Sequence, residues 1–144
     1  MTTVIGPAEG MAYILAKLQA DAPLNAIATG GIYRAAAPQA AINAPPYVLI
    51  NYQGGADVMG SFADRIMTGG LYQVAIYGPD TMMAASLVPA ARLIDADLHR
   101  TAGTAQGGTI LACYREQPIV LSEVVTGSDV YWSRVGGLYK ILVS

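Results

Sequence analysis

The chain has 144 residues, a net charge of −2, 53% hydrophobic residues and 12% charged residues, about half the usual charged share of roughly 25%. A length of this order suits one domain over residues 1–144 that can bury about 68 to 70% of the surface its unfolded chain exposes. The mild acidity excludes a protein that gains its affinity by coating nucleic acid with Lys and Arg, while the low charge fits either a large core or apolar surface covered by other subunits, of which we expect the second.

Cys113 is the one cysteine, so no intrachain disulfide is possible, and its apolar surroundings predict a buried thiol. The N-terminal "MTTVIGPAEG" has no basic and apolar leader pattern, and no apolar run reaches about 18 residues. A protein without a membrane segment, made and kept in the cytoplasm or inside something assembled there, is the expectation.

In "PAEGMAYILAKLQAD", Met11, Ile14, Leu15 and Leu18 fall on one helical face, with Pro7 in the first turn, Glu9 at the positive end of the dipole and Pro23 as the stop. The Ala, Pro and Gly of the next stretch predict irregular chain with one short strand at Ile32 to Arg34. "YVLINYQ" and "LYQVAIYG" alternate as strands, the first expected to be central in a sheet, and "GGADVMGSFADRIMTGG" between them reads as a long hairpin connection. A second helix is expected over Asp80 to Arg100, capped by Asp80 or Thr81. Its apolar stripe would be Met83, Leu87, Ala91, Ile94 and Leu98, its wet face Arg92, Asp95 and Arg100, and Pro89 should kink or break it near Ala85 to Leu87. Gly103 should stop this helix, and about three strands follow, with a turn at Gly127 to Asp129. The fold class is therefore α+β: a mostly antiparallel sheet of about four to six strands packed by two helices, with a long β-hairpin connection.

"GGLY" stands at 69–72 and 136–139, and "GGIY" at 30–33. The unequal spacing excludes a repeat, and each copy leads toward a strand rather than a helix, so none is a phosphate loop; strand entry is the expected role. Catalytic chemistry finds little material. His99 is the one histidine and sits where an imidazole meets the carbonyl end of a helix. Ser61 or Ser86 lacks a nucleophile elbow, Asp95 and Asp97 point to different helical faces, and one His with one Cys falls short of a zinc set. No enzyme activity, cofactor or metal site is expected.

The order of elements, the lead "APQAAINAPPYVLINYQ" into the first long strand, "LYQVAIYG" followed at once by a long helix, and the ending "GGLYKILVS" resemble the tail terminator or tail-completion (tail-to-head joining) proteins of long-tailed bacteriophages. That resemblance spans Pro7 to Val143, and Pro89 and the long hairpin connection depart from its pattern. It implies a structural virion protein of the tail-neck region, assembled in the host cytoplasm. It implies a homo-oligomeric ring, commonly a hexamer, that caps the tail tube, stops its polymerisation and joins the tail to the head. The implied partners are further copies of the chain, the tail tube protein and a neck or head-completion protein, with DNA passing through the lumen without sequence-specific binding. The alternatives are a neighbouring neck or head-completion connector, or a small α+β ligand-binding domain.

Two surfaces are expected to serve such an assembly. The glycine-rich stretch from Gly54 to Gly70 should be mobile alone and order on a partner, Met59, Phe62 and Met67 making apolar contacts while Asp57, Asp64 and Arg65 supply polar register. A wide solvent-exposed hairpin without a role is the bland alternative. Alternation puts Tyr131 and Trp132 on opposite faces of a strand, so one of them should leave the helix-covered side and pack on a neighbouring subunit.

Overall fold

The computed structural model describes residues 5–61, 65–124 and 131–144. Helix α1 (Pro7–Gln19) starts as its sequence requires: Pro7 opens the first turn, and the Glu9 carboxylate accepts from the backbone N–H groups of Ile5 and Gly6. Burial alone would push the Glu9 carboxyl up, but hydrogen bonds from the backbone of Glu9 itself, then of Gly6 and Ile5, together with the Arg65 charge, outweigh it and hold the group below its ordinary value. Tyr13, Ile14 and Leu18 are buried, with Met11 and Leu15 at the margin of the core. Gly10 lets the helix rest on Tyr72, because a Cβ there would collide with the tyrosine hydroxyl. Pro23 does more than end this helix. It lies in the first turn of a second one, α2 (Ala22–Ile27), whose cap is the Asp21 carboxylate accepting from the Leu24 N–H at 3.1 Å.

Strand β1 (Ile32–Arg34) lies where expected, followed by the short helix α3 (Gln39–Ile42). Strands β2 (Tyr47–Met59) and β3 (Arg65–Pro79) form a hairpin, and β4 (Thr101–Ala105), β5 (Gly108–Val124) and β6 (Tyr131–Val143) complete a six-stranded sheet of order β1-β2-β3-β6-β5-β4. Only the β1–β2 pair is parallel. The central strands are β3 and β6; β2 is one place from the edge. The α+β class and the mostly antiparallel sheet are as expected.

The expected long helix is built in pieces. A 3₁₀ turn (Asp80–Met82) and a π turn (Met83–Leu87) lead into helix α4 (Val88–Leu98), with Pro89 in its first turn. A proline ring has no N–H for the ladder and crowds the carbonyl four residues back, so the irregular turn falls where the break was expected. The stripe shifts by one position: Leu87, Ala90, Ile94 and Leu98 are buried, and Ala91 is only half-buried. Asp80 does not cap the helix; its carboxylate accepts from the Ser133 hydroxyl at 2.8 Å. Gly103 does not stop it either. The helix ends at Leu98, and Gly103 lies within β4.

One face of the sheet carries the helices. Val48, Ile50, Tyr72, Val74, Ile76, Tyr139 and Ile141 meet Ile14, Leu18, Leu87, Ile94 and Leu98 in one core. The opposite face, turned away from this core, is mixed: by alternation Leu49, Leu71, Ala75, Tyr77, Trp132 and Leu138 point there together with Asn51, Gln73, Arg134 and Lys140.

Candidate functional site

The stretch from Gly54 to Gly70 is not a loose connection. Pairing continues from Gly54↔Leu71 to Met59↔Arg65, with bulges between Tyr52 and Gly54 and between Val58 and Met59. Glycines usually weaken a strand, but here Gly55 lies against the Gly69 carbonyl so closely that a side chain would not fit. The expected mobile loop is thus a two-stranded arm. Asp57 accepts from the Thr68 hydroxyl at 2.7 Å and faces Arg65 at 3.8 Å, so the expected register groups fix the arm from within. Met59 is 52% exposed and Ile66 53%, while Met67 is half-buried. Phe62 and Asp64 lie outside the described residues, as does the turn expected at Gly127 to Asp129.

Tyr131 and Trp132 stand at the other end of the sheet, so the expected interface residues form two separate groups. Trp132 is on the face turned away from the core and half-buried, its ring 6.1 Å from Tyr47, which in turn stacks on Tyr77 at 5.5 Å. Tyr131 is on the helix-bearing side but beyond the helices, 55% exposed, near Val120 (63%) and Val124 (54%) on β5. The β5–β6 hairpin therefore projects a second arm with an apolar side.

The titratable groups that the sequence set aside are tied into the fold by hydrogen bonds or by burial. Asp95 faces inward, accepting from the Tyr139 hydroxyl at 2.9 Å and lying 3.6 Å from the Arg115 guanidinium. Burial, followed by the Asp95 charge, raises the Tyr139 phenol above its ordinary range. His99 Nδ1 accepts from the Arg115 backbone N–H at 3.0 Å, beside a bulge in β5, so the ring secures a strand rather than meeting helix carbonyls. Cys113 is fully buried, and burial pushes its thiol up to about 12. Beside Asp95 and Arg115 runs an open groove of about 450 Å³ between α4 and β5, lined by Val88, Ala91, Pro118 and Val135. Among the described residues no three His, Cys, Asp or Glu side chains gather as a metal-binding group, and no helix is long and apolar enough to cross a membrane.

Asp97 is the one strongly perturbed carboxyl among the described residues. Burial pushes it up, the hydrogen bond and charge of Asp21 push it further, and Lys17 pulls it partly back, to about 7. Its Oδ2 is buried without a partner. The native group thus keeps its proton to about pH 7, whereas the unfolded chain loses it near pH 3.9 or so. Stability from this site is fully present below the unfolded value and is lost as pH rises through about 7. Asp97→Asn, which keeps the shape without the charge, should raise the melting temperature at pH 8 and change it little at pH 4. An equal shift at both pH values in thermal melts would contradict the assignment.

No protein-family model and no curated protein sequence matches the chain. Among solved structures it is similar in fold to a chain from the virion of a native gene transfer agent (GTA) particle, at 17% identity and TM-score 0.61, with 98% of each chain covered. A second solved structure aligns over 77% of each chain at 17% identity and TM-score 0.47.

Proposed function

We propose that the chain is a structural virion protein of a phage-like particle, located in the tail-neck region. It forms a ring, commonly of six copies in the family that its sequence resembles, which caps the tail tube, stops its growth and offers a surface to the neck. The observation that carries this reading is the end-to-end likeness of fold to a chain of a gene transfer agent virion. A fold alone does not assign a role. The surface supports the same reading: two projecting arms with exposed Met59, Ile66, Val120, Val124 and Tyr131 leave much to be covered by partners. The partners are further copies of the chain, the tube protein below and a head-completion protein above. Mild acidity suits a lumen that lets DNA pass without holding it.

The test is removal of the gene from a particle-producing strain, read by electron microscopy. Tubes of uncontrolled length and unjoined heads are expected, with normal tails restored by the full chain. A chain lacking residues 56–67 should fold, because a short turn can join the remaining strands, yet fail to restore them. Cryo-EM of intact particles should place a ring at the head-proximal end of the tube; a single copy away from the tail axis would overturn the proposal.

A further inference from the structure

The two outer strands of the sheet are too short to cover their neighbours. β1 pairs with β2 only along Val48–Ile50, so the outer edge of β2 is free from Asn51 to Met59 among the described residues. β4 pairs with β5 only as far as Cys113, and His99 Nδ1 takes the Arg115 N–H, leaving the outer edge of β5 free from Glu116 to Val124 among the described residues. With β3 as a ruler, these edges lie at opposite ends. Asn51 pairs with Gln73 and Met59 with Arg65, which puts the first free edge beside the start of β3. Gln117 aligns through Leu138 with Gln73, and Glu123 aligns through Trp132 with Pro79, which puts the second beside its end.

An exposed strand edge presents unpaired N–H and C=O groups, and proteins that must not associate blunt it with lysine, proline or charge. Here the protection is thin. "NYQGGADVM" on β2 has neither lysine nor proline, only Asp57 and two bulges, and "IVLSEV", the last part of β5, has one glutamate. Pro118 lies near the start of the free stretch of β5. Val58, Met59, Leu121 and Val124 along these edges are 40 to 54% exposed, and Val120 is 63% exposed.

We infer that the free edge of β2 in one copy pairs with the free edge of β5 in the next, joining copies head to tail into one continuous sheet. The two edges run antiparallel when both copies point the same way, because β2 opposes β3 while β5 runs with it. Matching the free lengths requires an offset along the strands of about eight residues, roughly 26 Å. An even offset keeps the helix-bearing faces on the same side. It brings Ala56, which pairs with Gly69, beside Leu121, which aligns through Arg134 with Tyr77. At this offset β1 of the incoming copy clears the end of β5, and β4 of the receiving copy stops short of Met59. Each short strand thus fits the gap left by the other copy. The contact joins unlike surfaces, the kind that closes into a ring when its rotation closes.

The partner is therefore a second copy of this chain, and the pairing supplies an interface for the ring proposed above. Two purified variants, Ala56→Cys and Leu121→Cys, distinguishable by mass, are mixed at high concentration and treated with a short bismaleimide that tolerates a small register error. Cys113 is fully buried, and wild-type chain serves as the control for its reactivity. The expected result is a mixed adduct of the two variants, with neither variant cross-linking to itself. Self-adducts of Leu121→Cys alone would mean two-fold pairing of β5 with β5 and would overturn the inference. Absence of every adduct, in variants shown by circular dichroism to be folded, would overturn it as well. Because only purified chain is used, failure here would leave the particle role standing on another interface. Failure of the gene-removal experiment would leave the edge pairing intact.

Discussion

Gly136→Ala should destabilise the protein by about 3 kcal/mol or prevent folding, while Gly69→Ala should leave stability within about 1 kcal/mol of the wild type. Both positions belong to a "GGLY" copy, and both lie inside long strands rather than at their entries. Their neighbours differ. A Cβ on Gly136 would strike the Val74 carbonyl oxygen and come within 2.6 Å of Ala75 Cα, backbone atoms of the adjacent central strand that cannot swing aside. A Cβ on Gly69 would meet Leu142 Cδ2 at 3.4 Å and Lys140 Cε at 3.5 Å, ordinary contact with movable side-chain ends. Urea unfolding of the two variants decides the matter, and equal losses would show that the close approach of β3 and β6 at Gly136 is not what demands glycine there.

The second large effect is expected in α4. Ile94→Ala removes a fully buried side chain from the middle of the helix-sheet core and should cost about 3 kcal/mol, with a cavity left between α4 and the sheet. Arg92→Ala, two positions away on the exposed side, should change stability by no more than about 0.5 kcal/mol. Thermal or chemical melts of both variants measure the contrast. A loss at Arg92 comparable to that at Ile94 would mean that the helix is oriented differently.

Much of this architecture could be read in advance where one face of an element had to be apolar. The spacing of Ile14 and Leu18, the alternation in "YVLINYQ" and "LYQVAIYG", and the break imposed by Pro89 all follow from local rules, and each marks an element that is present. The arm from Gly54 to Gly70 was misread because it projects beyond the core. Only its base, Thr68 to Gly70, is buried, with Thr68 against Gly6 at the start of α1; along the rest of the described residues no buried face enforces the period-two pattern that reveals a strand, and its glycines resemble those of a loop. Asp95 illustrates the other kind of blindness. Its helical position suggested water, but its partners Tyr139 and Arg115 come from β6 and β5, far along the chain, and no local pattern announces them. Tyr131 and Trp132 fell between these cases. Alternation gives their opposite orientation, but it cannot tell that Trp132 is half-sheltered by Tyr47 while Tyr131 is 55% exposed.

The two arms differ in chemistry as well as in position. One carries Met59 and Ile66 beside an Asp57–Arg65 ion pair; the other carries Val120, Val124 and Tyr131 beside the Arg134–Glu123 pair. They stand at opposite ends of the same sheet, so any assembly that aligns its strands along a common axis has two dissimilar rims. Such an object possesses a direction. A partner selecting one rim would find the wrong groups on the other, and inversion could not go unnoticed. Polarity at the scale of a particle would then be inherited from the decision, within a single chain, to turn one hairpin downward and the other upward.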